Sequence, residues 1–216
     1  MNARIVFDLD GTLIDSAADI QGIANTVLDR IGAEPITLAD TRSFIGEGIG
    51  AFVAKVRHAR GIPDSAQAEM LDQVVALYDD AVTLTVPYPG VVDTLETLAG
   101  KYAMGICTNK LHRPCLSVLK HLRIEHYFTS IWGGDNPLGR KPDPAVLLAT
   151  FDELGEGPRV YVGDSEVDAE TARRAAVPFL LFTEGYRKQP IEKIPHDKSF
   201  SSFENLPDLV TKTLGA

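Results

Sequence analysis

The chain has 216 residues, 44% hydrophobic and 24% charged, with a formal net charge of −9. That is the size of one core, or a core plus a small second domain, and the composition of an ordinary soluble globular protein. The acidic balance disfavours nucleic acid, no apolar run nears the roughly 20 residues of a membrane span, and two cysteines exclude a disulfide framework or cysteine-based zinc site.

Arg4 to Phe7 is too short and too apolar for a helix and reads as a buried strand. A strand so early leaves no room for a charged-then-apolar signal peptide, and the sparse cysteines suit a reducing, cytoplasmic setting. Asp8 and Asp10 follow the strand where Gly11 permits a sharp turn. Ligands of an open parallel sheet bind outside the carboxyl ends of its strands. Two carboxylates there can hold a hard cation, attack an electrophile, or divide those tasks. An Asp-Gly turn closing an ordinary strand is the competing reading.

From Ser16, Ile20, Ile23, Ala24, Val27, Leu28 and Ile31 form one helical face, which Gly32 is placed to end. Leu71, Val74, Val75, Tyr78 and Val82 repeat the stripe, and Thr37 to Arg60 reads as shorter helices interrupted by Gly46, Gly48 and Gly50. No strand is expected between Ser16 and about Thr83, and the breaker-rich Thr85 to Gly90 closes this block. Strands then alternate with helices. Lys101–Cys107, Phe128–Trp132, Arg159–Val162 and Pro178–Phe182 read as strands. Helices are expected near Val91–Leu98, Leu111–Leu122, Pro144–Leu154, Val167–Ala176 and Glu204–Leu214. The expectation is an α/β fold, a Rossmann-like open parallel sheet with helices on both faces. Residues 1–15 and 86–216 would form this core, and residues 16–85 an inserted α-helical cap domain.

Polar residues recur at the strand ends. Thr108 and Asn109 precede a helix, whose free N–H groups suit a phosphate. Lys141 lies just before a helix for which Asp143 is a good N-cap and Pro144 a good first residue. Gly163-Asp164-Ser165-Glu166-Val167-Asp168 follows another strand. Each residue alone has a plain reading as a cap or a solvated side chain. One hydroxyl, one ammonium and two acidic pairs, in order and at strand ends, are hard to reconcile with coincidence.

Asp8-Leu9-Asp10-Gly11-Thr12, Thr108-Asn109, Lys141-Pro142 and the Gly163 to Asp168 segment match the four signatures of haloacid dehalogenase superfamily phosphohydrolases. The chain resembles that family over essentially its whole length, helical cap included. Within it, the chain is most similar to phosphoglycolate phosphatases, through Cys107-Thr108-Asn109-Lys110, Gly139 to Pro144, and Glu184-Gly185-Tyr186-Arg187. The resemblance implies a Mg2+-dependent phosphatase for a small phosphomonoester, 2-phosphoglycolate being the first choice. Asp8 would be the nucleophile, forming an aspartyl-phosphate, and Asp10 the general acid–base. Lys141 and Thr108 would stabilise the phosphoryl group, with Asn109 and the backbone N–H groups of Leu9 and Asp10 completing its cradle. Mg2+ would take an Asp8 carboxylate oxygen, the Asp10 backbone carbonyl and Asp164, with Asp168 orienting its waters or Lys141. Family dehalogenases lack the second aspartate, so Asp10 points to phosphoryl transfer.

A cap would read the rest of the substrate through the loop holding Arg42, Gly46, Glu47 and Gly48, with Arg42 pairing a carboxylate; a simple turn between helices is the alternative. Hinges are expected at Ile14–Ala17 and Leu84–Pro89. A sugar phosphomutase and a non-catalytic phospho-ligand sensor are the competing functions. The expected partner is a small phosphorylated metabolite, with no nucleic acid and no membrane, for a monomer or homodimer. The five histidines show no ligand spacing, and Cys107 is expected to be a buried, inert thiol.

Overall fold

The computed structural model describes residues 3–215. Its main sheet contains β1 (Arg4–Phe7), β4 (Ala103–Cys107), β5 (Ser130–Trp132), β6 (Arg159–Gly163), β7 (Phe179–Phe182) and β8 (Lys198–Phe200). They lie in the order β5-β4-β1-β6-β7-β8, and every neighbouring pair is parallel. The chain builds outward from β1 to β5 on one side and then returns to build β6 to β8 on the other. This switch of direction beside β1 opens the crevice in which such sheets bind ligands.

Alternation along the strands creates two apolar layers. Ile5 and Phe7 face one, with Ile106, Val162 and Phe182, beneath α5 (Val91–Leu98), α6 (His112–His121) and α9 (Leu206–Leu214). Val6, Cys107, Tyr161 and Leu181 face the other, beneath α7 (Ala145–Glu153) and α8 (Glu166–Ala175). Because both faces are covered, β1 can run apolar from Ile5 to Phe7, and all four of its residues, Arg4 included, are buried. The two-sided parallel sheet is therefore as expected. β8 was not foreseen: Lys198 and Ser199 are exposed at the sheet edge and carry no apolar run.

Between β1 and α5 the chain forms α1 (Ala17–Arg30), α2 (Leu38–Phe44), α3 (Ile49–Ala59) and α4 (Gln67–Tyr78). Their apolar faces meet in a separate core that includes Ile20, Val27, Phe52, Val56 and Val74. Gly32 follows α1 with φ +68, the left-handed geometry that ends a helix. α4 stops at Tyr78, short of the expected stripe, and Val82 packs against the sheet layer instead. Where the insert leaves and rejoins the sheet unit, β2 (Ile14–Asp15) and β3 (Val86–Pro87) pair antiparallel. α7 starts one residue later than the sequence suggested: Pro144 takes the cap position, and Asp143 Oδ1 accepts the Ala145 N–H at 2.9 Å. Among the described residues, no helix is long and apolar enough to cross a membrane.

Candidate active site

Asp8 continues the line of β1, its N–H donating to the Val162 carbonyl at 2.9 Å. Lys141 Nζ reaches Asp8 Oδ1 at 2.7 Å, Asp168 Oδ1 at 2.6 Å and the Tyr161 hydroxyl at 3.0 Å, which uses all three of its donors. Tyr161 in turn donates to Asp168 Oδ1 at 2.7 Å. The other oxygen of Asp168 accepts the Ser165 N–H and hydroxyl, and Ser165 Oγ accepts the Asp168 N–H, a capping box that opens α8. Ser165, not Asp164, therefore caps this helix. Asp164 instead accepts the Thr12 hydroxyl at 2.9 Å and the Tyr186 N–H at 2.5 Å. Gly11 passes so close, at φ +89, that an added Cβ would stand 2.5 Å from Asp164 Oδ2.

Asp8, Asp164 and Asp168 are buried, with carboxylate oxygens all within 4.8 Å of one another. One ammonium, Lys141, pairs with two of them, Asp8 and Asp168. Burial pushes the Asp8 carboxyl up to about 7, with Lys141 pulling against it and Asp168 adding to it. Burial also raises Asp164, reinforced by the charges of Asp168 and Asp8. Burial acts on Asp168 as well, but the charge and hydrogen bond of Lys141 outweigh it and hold this carboxyl low. For Lys141, desolvation opposes the charge, and the two carboxylates overcome it, so the ammonium persists. An oxygen-only donor set with excess negative charge is the chemistry of a hard divalent cation such as Mg2+. The residues present fit that ion.

Asp10 has different surroundings. Ser16 Oγ donates to its Oδ1 at 2.6 Å, and Lys110 Nζ lies 3.2 and 3.3 Å from its two oxygens. Lys110 also donates to the Tyr78 hydroxyl at 3.1 Å. Thr108 Oγ1 accepts the Lys110 N–H at 3.2 Å, and its own hydrogen has no acceptor among the described residues. The Leu9 side chain is wholly buried in the sheet layer, so only its backbone is available to the site.

The Asn109 side chain is engaged within the protein. Its Oδ1 accepts the Lys141 N–H at 3.0 Å, while Nδ2 donates to the carbonyls of Lys141 at 3.1 Å and Gly46 at 2.9 Å. Its amide is occupied in fixing the Lys141 backbone and the insert loop, so it is not free to cradle an anion.

Gly46 and Gly48 line a cavity together with Asp8, Asp10, Thr108 and Asn109. A second cavity shares Asp8, Asp10 and Gly46 and opens toward Lys141 and Asp164. Arg42 and Glu47 line neither. Arg42 bonds to Asp15 Oδ2 at 2.7 Å on the outer side of the ribbon, and Glu47 pairs with Lys55 and, at 3.6 Å, Lys188. Nearer ion partners thus take both side chains away from the cavity. Cys107 is buried, and desolvation pushes its thiol up to about 12, consistent with an inert group.

Four residues gain importance that sequence reasoning did not give them: Lys110, Tyr78, Tyr161 and Tyr186. The Tyr186 hydroxyl accepts the N–H groups of Ser16 at 2.9 Å and Ala17 at 3.1 Å and donates to Asp15 Oδ1 at 2.7 Å. Lys110 and Tyr186 stand in strings that carry the family resemblance, which was the available signal. Ser165-x-x-Asp168 was readable as a capping box. Tyr78 and Tyr161 read as plain apolar positions.

The family described as haloacid dehalogenase-like hydrolase matches residues 5–182. A phosphoglycolate phosphatase of Cereibacter sphaeroides is 44% identical over 214 residues, covering 97% of this chain and 98% of that protein. One of Rhodobacter capsulatus is 37% identical, covering 97% of each. A solved structure of a predicted phosphoglycolate phosphatase from Haemophilus somnus superposes with a TM-score of 0.89 at 26% identity, covering 96% of this chain and 97% of that one. The chain belongs to the haloacid dehalogenase-like hydrolase family.

Proposed function

We propose that the protein is a Mg2+-dependent phosphatase that hydrolyses a small phosphomonoester, 2-phosphoglycolate before others, through an aspartyl-phosphate on Asp8. The observation that carries this reading is the pairing of Asp8 with Lys141 at the cation-suited carboxylate cluster, while Asp10, two residues on, pairs with Lys110 in a cavity that both aspartates line. The relatives named phosphoglycolate phosphatase support the choice of ester.

Asp8 attacks phosphorus, and the bond to the leaving oxygen breaks as the bond to Asp8 forms. Asp10 gives a proton to the departing alkoxide, then takes one from the water that cleaves the aspartyl-phosphate. Lys141 holds Asp8 in line and balances its charge, and the free Thr108 hydrogen is available to a phosphoryl oxygen. Bound at Asp8, Asp164 and the Asp10 carbonyl, Mg2+ would neutralise charge between the nucleophile and the anionic phosphoryl group. The helical insert acts as a cap that excludes bulk water, hinged at the β2–β3 ribbon.

Phosphate release from a panel of small phosphomonoesters, with Mg2+ and with a chelator, tests the reading. 2-Phosphoglycolate should be the best substrate, and Asp8→Asn should abolish turnover. An active Asp8→Asn protein would refute the nucleophile assignment. Isomerised sugar phosphate without net phosphate release would turn the reading to a mutase.

A further inference from the structure

The cavity beside Asp10 is roofed by Ile20, Ile45, Ile49 and Phe52 from the helical insert. Against that apolar surface Lys110 brings an ammonium that is almost wholly buried. Its Nζ sits at nearly equal distances, 3.2 and 3.3 Å, from the two oxygens of Asp10, a geometry in which they share one N–H. Tyr78 accepts a second at 3.1 Å. The third N–H has no acceptor among the described residues, in contrast to Lys141, whose donors all end on protein groups. The Tyr78 hydroxyl accepts from Lys110, which leaves its own hydrogen to donate, and Tyr78 lines the same cavity. Two unused donors, one of them charged, thus meet in a chamber that the insert roofs with hydrocarbon and that Asp8, Asp10 and Thr108 line on the sheet side.

Such a chamber suits a carboxylate. An ionised acceptor satisfies both donors with short, charge-assisted hydrogen bonds. A sugar would bring several hydroxyls to apolar side chains that cannot partner them. We propose that Lys110 and Tyr78 form a carboxylate subsite that selects phosphate esters of 2-hydroxy acids. This rests on the phosphatase reading, in which Asp10 meets the leaving oxygen. In an ester of a 2-hydroxy acid one carbon separates that oxygen from the carboxylate, so an ammonium 3.2 Å from Asp10 lies within reach of it. Lys110 is then a specificity-determining residue that contacts substrate.

The test compares 2-phosphoglycolate with ethyl phosphate, in which a methyl group replaces the carboxylate. With Mg2+, the wild-type protein should prefer 2-phosphoglycolate by about a hundredfold or more in kcat/KM, the worth of two hydrogen bonds of which one is to a full charge. Lys110→Met should lose about tenfold to a hundredfold more on 2-phosphoglycolate than on ethyl phosphate, with the excess in KM. Tyr78→Phe, a smaller change to the fold, should shift the same ratio by about threefold to tenfold. Equal losses on both esters overturn the subsite and make Lys110 a positioning residue for Asp10. Wild-type turnover of both esters without preference overturns it too, and leaves the phosphatase reading intact. Calorimetric titration of Asp8→Asn separates the two ideas. Tight 2-phosphoglycolate binding that weakens on adding Lys110→Met, in a chain whose wild type releases no phosphate, keeps the subsite and removes the phosphatase. Equal affinity for the two esters removes the subsite.

Discussion

Asp8 and Asp10 are two residues apart in the chain yet meet different cations, Lys141 at 2.7 Å and Lys110 at 3.2 Å. Side chains at i and i+2 of an extended strand share a face, and both of these line the same two cavities, yet each is held by its own cation. The division predicts how Asp10→Asn should behave. An alkyl phosphate needs its leaving oxygen protonated, so turnover should fall by about 10²–10⁴-fold. With p-nitrophenyl phosphate the leaving group needs no proton, and one equivalent of nitrophenol should appear quickly before slow turnover sets in. A uniformly slow reaction, without that burst, would sink the assignment of acid and base to Asp10. The pair itself was legible because it ends an apolar run, as do Thr108 and Asp164, and Lys141 was marked by the Asp143-Pro144 helix start that follows it. The direction of a side chain was not. Asn109 stood in the right place, but its partners lie 32 and 63 residues away, and no local spacing reveals them. Arg42 likewise turned to Asp15 across 27 residues.

At the scale of elements, the β2–β3 ribbon is clasped on both sides. Asp19 near the start of α1 accepts the Leu84 N–H at 3.0 Å and the Thr85 hydroxyl at 2.6 Å, tying the departing chain to the returning one. On the other side, Tyr186 fixes the Ser16 and Ala17 N–H groups with its hydroxyl while its own N–H holds Asp164. One residue thus spans the hinge and the carboxylate cluster. Tyr186→Phe leaves the buried Ser16 N–H without its acceptor, while the Ala17 N–H keeps Asp15 Oδ1 at 3.2 Å, and should cost about 1–3 kcal/mol in urea unfolding. Because the hinge loosens at the same time, kcat and KM should change together. Lost stability with unaltered kinetics would show that the clasp supports the fold without governing the insert. Elements such as the ribbon and β8 escaped sequence reading because two or three residues carry no period. The longer helices and the buried strands were legible because repeated apolar positions specify them many times over.

Over the whole molecule, two sheet layers and the core of the insert enclose three carboxylates, two of them paired with one lysine, and this arrangement links stability to pH. Asp8 has an ordinary value of 3.8 in the unfolded chain and is pushed up to about 7 in the fold. Between those values the folded protein holds a proton that the unfolded chain has released. The Asp8 contribution to stability is therefore present at low pH and lost as pH rises through 7. Asp164 acts in the same direction, whereas Asp168, held low by Lys141, gives a contribution lost only in more acid solution. In chelator, wild-type stability should thus fall relative to Asp8→Asn as pH is raised from 5 to 8. A divalent cation needs ionised ligands, so its binding displaces these protons and strengthens across the same window. At pH 8, Mg2+ at a hundred times its Kd should stabilise the protein by about 2.7 kcal/mol, or about 5–10 °C in Tm for a chain of this size. At pH 5 the shift should nearly vanish, and in Asp8→Asn it should be smaller at every pH. Thermal melts at four pH values, with Mg2+ and with chelator, read both effects. A Mg2+ shift of equal size at pH 5 and pH 8 would mean that cation and proton do not compete for the same carboxylates, and that the ion binds elsewhere.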